Sequence, residues 1–295
     1  MDSFSISELA QYSGIKPHTI RIWEKRYKAL KPERTSGNTR YYDNSQLRRL
    51  LNITSLMDSE NKISDLCEMP DEKLEAMNWK QLHAATGPEE YFVAQLISAA
   101  LTYDEPNFVN IFSHCLLRFG MKDTYIKVLY PVLVRLGLMW LNGSLPTANE
   151  HFISNLIRQK LFTAIDSLPP GNVSEKPWVL FLPENEFHEI GLLLAHYLIR
   201  LAGRRVIYLG PNVPFYSLKQ AILDLKAEYL LSFIVHRDFP KDIQKYLDQL
   251  SSDFNGEKIY VAADPRFTNG LKTGRKLHFL DTAEALELQL QIHTV

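Results

Sequence analysis

Trp178-Val179-Leu180-Phe181-Leu182-Pro183-Glu184-Asn185-Glu186-Phe187-His188-Glu189-Ile190-Gly191 opens on an apolar run, crosses a polar loop and enters a second apolar stretch. Residues 178–182 read as a strand of a parallel sheet buried on both faces, and the stretch after Glu189 reads as a helix. Strand, loop and helix form the repeating unit of an α/β sheet, and ligands meet such sheets at the carboxyl ends of the strands. His188 lies in that loop. Glu186, two residues earlier, can hydrogen-bond one ring nitrogen and set the tautomer and basicity of the other, the usual arrangement behind a metal-bound histidine. Gly191 would let the backbone approach a ligand closely.

Residues 206–209, 229–234, 259–263 and 277–280 read as further strands, separated by helices starting near Glu189, Tyr216, Pro240 and Asp281. The expected C-terminal architecture is a flavodoxin-like, doubly wound sheet with five parallel strands. Leu209-Gly210-Pro211-Asn212-Val213-Pro214 is expected as a second loop at the same edge. The spacing Glu186-x-His188-x-x-Gly191 resembles the Asp-x-His-x-x-Gly signature of cobalamin-binding domains, with glutamate in the aspartate place. The likeness continues in Ser232-Phe233-Ile234, where that family has Ser-x-Leu, and in the Gly-x-x-Val-Pro loop at 210–214. The resemblance implies His188 as the lower cobalt ligand, with Glu186, Gly191, Ser232, Ala262 and Ala263 around the cofactor. Ala262-Ala263 departs from the family's Gly-Gly pair, and its two methyl groups would narrow the slot for the nucleotide tail.

Upstream of the Pro169-Pro170-Gly171 linker, residues 89–168 read as helical throughout, with Pro106, Gly120 and Pro146 as punctuation. Four amphipathic stretches, 91–101, 108–118, 124–141 and 148–168, make a four-helix bundle. Within it Trp140, nine further residues and then Glu150-His151 form a pattern. Trp140 offers a broad apolar face with one N–H, and Glu150 and His151 offer partners for ribose hydroxyls. The pattern resembles the bundle that caps adenosylcobalamin in light-responsive MerR-type repressors of carotenoid genes. Those proteins have a histidine directly after the tryptophan, which takes the upper cobalt position after light; here that residue is Leu141, which cannot coordinate cobalt. His151 and His114 are the imidazoles left for such a role.

The N-terminal segment differs in charge. Residues 1–50 hold ten lysines and arginines against five acids, on a chain of net charge −1, so the remainder is acidic. A basic domain on an acidic body points to a phosphate-rich partner at one end. Ser5-Ile6-Ser7-Glu8 offers a capping box, Gly14 a stop, and Pro17 a helix start that runs to Tyr27. Ile20, Trp23 and Tyr27 would face inward, leaving His18, Thr19, Arg21, Lys25 and Arg26 outward. Residues 32–42, with Gly37-Asn38 at the tip, read as a β-wing. Residues 4–69 resemble the winged helix-turn-helix of MerR-type regulators through Thr19-x-Arg21-x-Trp23-Glu24 and Asn38-x-Arg40-x-Tyr42. The resemblance implies DNA contacts from Lys16, His18, Thr19, Arg21, Lys25, Arg34, Arg40 and Tyr41. Arg21 is equally placed to read a guanine edge or to clamp a phosphate.

Helices are expected at 44–57, with Arg48 and Arg49 outward, and at 63–69. Pro70 and Pro88 then bracket a segment too short for a coiled coil of several heptads. Pairing must come from the C-terminal domains, as a dimer or tetramer.

Across its 295 residues, 45% hydrophobic and 23% charged, the chain is globular with room for two or three domains. No run approaches the ~20 apolar residues of a membrane span, and no secretory signal is expected. Cys67 and Cys115, in unrelated contexts, fit a reducing cytoplasm and form no metal cluster. Cobalamin enzymes also need a substrate barrel, and no part of this chain has the length for one, so no catalysis is expected. The domains expected are a winged helix-turn-helix at 1–75, a helical cap at 76–168 and a Rossmann-like cobalamin domain at 169–295. The expected function is a cytoplasmic regulator that binds operator DNA under control of adenosylcobalamin. The alternative is a cofactor-independent regulator whose degenerate B12-like domains serve oligomerisation or docking.

Overall fold

The computed structural model describes residues 4–34, 39–57, 61–83, 89–235, 243–254, 256, 258–272 and 276–292. Two compact units, Met1–Leu156 and Ile157–Val295, divide the chain. The first opens with α1 (Ile6–Ser13), whose start is fixed by a capping box: Ser5 Oγ accepts from Glu8 N–H, and the Glu8 carboxylate accepts from Ser5 N–H at 2.6 Å. Gly14, at φ 75°, takes the left-handed turn that ends it. Helix α2 (Pro17–Tyr27) begins on proline and buries Ile20 and Trp23. Strands β1 (Glu33–Arg34) and β2 (Arg40–Tyr41) pair antiparallel as the wing, whose tip lies outside the described residues.

Helix α3 (Asn44–Ser55) is capped by Asp43, which accepts from Gln46 N–H at 2.9 Å, and α4 (Ile63–Glu68) follows. Arg49 does not point outward as its spacing predicts. Its guanidinium donates to the carbonyls of Ala29 (2.7 Å), Cys67 (2.7 Å) and Met69 (3.0 Å) and pairs with Asp71, tying down carbonyls at and just past the C-terminal ends of α2 and α4. After α5 (Asp71–His83), helix α6 (Glu89–Thr102) is buried along nearly its whole length and packs on α3, α7 (Glu105–Thr124) and α8 (Tyr130–Leu141).

Gly120 interrupts α7 at φ 72°, ψ 174°, and a π-turn at Tyr125–Leu129 precedes α8. Pro131 has no N–H to give the ladder, which accounts for the widened turn. The run Glu105–Leu141 is long and apolar enough to cross a membrane by length and composition, which the reading by single apolar runs missed. Its break at Gly120 and the burial of Phe108, Ile111, Val132 and Leu136 mark it as bundle core. The last bundle helix is α9 (Thr147–Asp166).

In the second unit, β3 (Trp178–Pro183), α10 (Ile190–Leu201), β4 (Val206–Val213), α11 (Phe215–Leu225), β5 (Tyr229–Ile234), α12 (Ile243–Asp253), β6 (Lys258–Ala263), α13 (Pro265–Thr268), β7 (Leu277–Leu280) and α14 (Ala283–Ile292) alternate as expected. The strands are parallel in the order β4-β3-β5-β6-β7, the flavodoxin-like arrangement. Every residue of central β3 is buried. Val179, Phe181, Leu230, Ile234 and Val261 pack on one face against Leu218 and Ile222 of α11 and Leu247 and Leu250 of α12. Trp178 stacks on Tyr229 and Tyr260 with ring centroids 4.7 and 5.3 Å apart. One expectation fails in detail: residues 210–213 continue β4 instead of forming a loop, through register shifts beside Phe181 that let Val213 pair with Pro183.

Candidate functional site

The loop between β3 and α10 is built around Glu186, whose side chain is only 3% exposed. Its Oε1 accepts from Phe187 N–H (2.8 Å), His188 N–H (2.9 Å) and His188 Nδ1 (2.6 Å). A buried carboxylate is held by such charge-assisted bonds, and in return it fixes the ring. With Nδ1 as the donor, the lone pair lies on Nε2, and the His188 side chain is 58% exposed. Phe187 is also exposed beside it, and Gly191 is the second residue of α10.

The sequence reading missed what pins this loop. Asn212 Oδ1 accepts from Asn185 N–H at 2.8 Å, and Asn212 N–H donates to the Glu186 carbonyl at 2.9 Å. Asn185 and Asn212 both hold positive φ, 66° and 54°, a region asparagine tolerates, so the extended end of β4 braces the histidine loop. Tyr208 donates to Glu189 at 2.7 Å, and Arg158 lies 3.3 Å from the same carboxylate. One asparagine in each turn-forming stretch was the available signal.

Ser232 lies on the β5 face that carries Leu230 and Ile234, and its buried hydroxyl closes no hydrogen bond. The Tyr246 hydroxyl of α12 is likewise orphaned; burial pushes this phenol up, partly offset by the Ser232 hydroxyl nearby. Such groups cost about 1–3 kcal/mol each when unsatisfied. Ala262 and Ala263, opposite Phe233 and Ile234, are half-buried at the end of β6.

In the first unit, Trp140 is the penultimate residue of α8, with 45% of its surface exposed, and its Nε1 donates to Thr147 Oγ1 at 3.2 Å. Thr147, Glu150 and His151 share one face of the first turns of α9, so this bond ties the tryptophan to the helix that carries the Glu-His pair. Glu150 Oε2 meets His151 Nδ1 at 2.9 Å, and Leu141 is 70% exposed. In the winged helix, Lys16, His18, Arg21, Lys25 and Arg34 are exposed and Thr19 is half-buried beside His18. Lys16, Arg21 and Lys25 make no hydrogen bond or ion pair to a described residue. Arg40 instead pairs with Glu24 at 2.9 Å, Tyr42 donates to the same carboxylate at 2.9 Å, and Tyr41 donates to Glu33.

Two family models match the chain, the MerR HTH family regulatory protein over residues 4–69 and the B12 binding domain over 90–164. Two relatives align over most of their length. The HTH-type transcriptional repressor CarH of Myxococcus xanthus is 28% identical over 254 residues, 84% of each chain. CarA, a repressor of the same organism, is 26% identical and covers 82% of this chain and 80% of its own. This chain is a MerR-type regulator with a B12-binding domain. It is a DNA-binding transcription regulator and not an enzyme, in keeping with the regulators it resembles.

A monomethylamine corrinoid protein of Methanosarcina barkeri shares the fold of the MerR-type chain, with a TM-score of 0.50 at 15% identity, over 70% of this chain and 100% of its own. The residues present fit a corrinoid: with Glu186 on Nδ1, His188 has Nε2 as the ring atom that could ligate a metal, and the orphaned hydroxyls of Ser232 and Tyr246 would suit a polar group entering beside β5. Ala262 and Ala263, half-buried at the end of β6, put small side chains there.

Proposed function

We propose that this regulator binds adenosylcobalamin on its C-terminal unit and that the cofactor sets its oligomer state, and through that its occupancy of operator DNA. The observation that carries the reading is the Glu186–His188 pair, a histidine fixed in tautomer and orientation at the carboxyl edge of a sheet. His188 would ligate cobalt, Trp140, Glu150 and His151 would meet the nucleoside, and Glu186, Gly191, Ser232, Ala262 and Ala263 would meet the rest of the cofactor. When bound, adenosylcobalamin supplies a light-breakable cobalt–carbon bond. Leu141 offers cobalt no ligand, so a light-formed state with a second histidine would need His151 or His114.

The DNA contacts are assigned to Lys16, His18, Thr19, Arg21, Lys25, Arg34, Arg40 and Tyr41, and the chain works in the cytoplasm. A single winged helix makes few contacts, and α5 is only 13 residues long, so assembly as a dimer or tetramer falls to the other domains. Cofactor binding biases assembly by its difference in affinity between the assembled and unassembled forms, about 1.4 kcal/mol for each tenfold. The domain limits 1–75, 76–168 and 169–295 go with this division of labour. The test is the visible spectrum of protein loaded with cobalamin: His188→Ala should lose the histidine-ligated form, and an unchanged spectrum removes His188 from the scheme.

A second reading rests on Ala262-Ala263. If their methyl groups close the slot, the chain regulates without cofactor, and its B12-like domains serve assembly or docking.

A further inference from the structure

The polar joint between the winged helix and the bundle forms a half-open cleft of about 480 Å³, a volume in the range that holds small ligands. Arg48 and Asn52 line it from α3, Gln95 and Ser98 from α6, and Asp104 and Asn107 from the start of α7. All lie inside the first compact unit. Neither the DNA contacts nor the cobalamin residues include any of them.

The chemistry of this lining is unusual for a structural joint. Asn52 is 3% exposed and Gln95 is 8% exposed, and both enter a buried network with Ser55 and Asn78. That network uses the Asn52 oxygen as acceptor and the Gln95 nitrogen as donor. The Asn52 nitrogen donates to no described residue and the Gln95 oxygen accepts from none, which leaves one donor group and one acceptor for the cavity. Arg48 is half-buried and makes no hydrogen bond or ion pair to a described residue. A guanidinium so placed usually has a carboxylate or phosphate partner. Asp104 lines the same cavity, yet the two charges do not meet within ion-pair distance; Asp104 Oδ1 caps α7 through Asn107 N–H at 3.0 Å. Opposite charges held apart across one polar cavity suit a ligand that carries both, also spaced apart.

We propose that this cavity is a binding site for a zwitterionic metabolite of the α-amino acid class, its carboxylate on Arg48, its ammonium toward Asp104 and a polar side chain read by Asn52 and Gln95. A ligand there would bridge α3 of the DNA-binding head to α6 and α7 of the bundle, and would thereby couple an amino-acid signal to the position of the head. The proposal stands independently of cobalamin, since no residue is shared between the two sites.

The test is calorimetric titration of the full-length protein with each standard L-α-amino acid in turn, with succinate and 1,4-diaminobutane as carboxylate-only and amine-only probes. The expected result is at least one amino acid binding with Kd below about 1 mM, and neither single-sign probe matching it. Arg48→Gln and Asp104→Asn should each weaken that binding at least about tenfold while leaving the melting curve of the free protein in place. Asparagine remains a good helix cap, so the second variant separates the ligand's charge from the cap. No binding by any amino acid overturns the proposal. Equal binding of succinate overturns the zwitterion, and unchanged affinity in both variants overturns the site.

Discussion

His188 is held by a buried carboxylate that also takes two backbone N–H groups, whereas Lys16, Arg21 and Lys25 extend into solvent with no hydrogen bond or ion pair to any described residue. The difference suits what each side chain is proposed to meet. A metal ligand has one productive direction, and fixing it in advance spares the entropy of finding it. Phosphates are spread along a backbone, so long cationic side chains keep their freedom until DNA orders them, at up to about 2 kcal/mol each. The wing is intermediate, with Arg40 already leaning on Glu24.

The largest way to break this contrast is Glu186→Ala. It strips the acceptor from three donors, and we expect a loss of about 2–4 kcal/mol in urea unfolding; a loss below 1 kcal/mol would mean that the loop is not held as described. Arg21→Ala should behave oppositely. Stability should stay within about 0.5 kcal/mol, while operator affinity measured by fluorescence anisotropy falls by about 1–3 kcal/mol. Whether that loss varies with operator sequence distinguishes a guanine contact from a phosphate clamp.

A third effect depends on pH. Burial, with Arg200 adding to it, lowers the His196 imidazole from 6.5 to about 4; both ring nitrogens lack partners, and the ring stacks on Tyr208 at 5.2 Å. The fold therefore holds the neutral form, and the unfolded chain takes up the proton first. Stability from this group is full above pH 6.5 and declines as pH falls toward 4, by roughly 1–2 kcal/mol after solvent screening. His196→Phe should flatten that decline in unfolding curves recorded across the window. The smallest effect is expected from Glu24→Gln. Losing an exposed ion pair should change stability by less than about 1 kcal/mol, while releasing Arg40 and removing an acid from the DNA face should tighten binding slightly at low salt.

The parts of this fold that were legible in the sequence are those where one local signal decides. Apolar runs gave β5 and β7 their bounds, and the Ser5–Glu8 box and Pro17 marked the starts of α1 and α2. What was missed depends on contacts distant in sequence. Arg49 reads as a surface cation until the carbonyls of Ala29, Cys67 and Met69 are brought around it. Gly210-Pro211-Asn212 reads as a loop because its residues favour turns, yet pairing with β3 keeps it extended. The candidate site was legible as spacing, through Glu186, His188 and Ser232. The braces from Asn212 and Tyr208 were not, since they come from the neighbouring strand.

The central claim is that a cobalamin held by His188 controls assembly on DNA. The most direct measurement mixes the full-length protein with adenosylcobalamin in the dark, removes free cofactor by gel filtration, and records absorbance, mass and operator affinity on the eluted species. The account predicts co-elution of cofactor with protein, a mass changed to a dimer or tetramer, and an altered operator affinity. Absence of co-elution with adenosyl-, methyl- and hydroxocobalamin alike, with mass and operator binding unchanged, would contradict it and leave the cofactor-independent regulator.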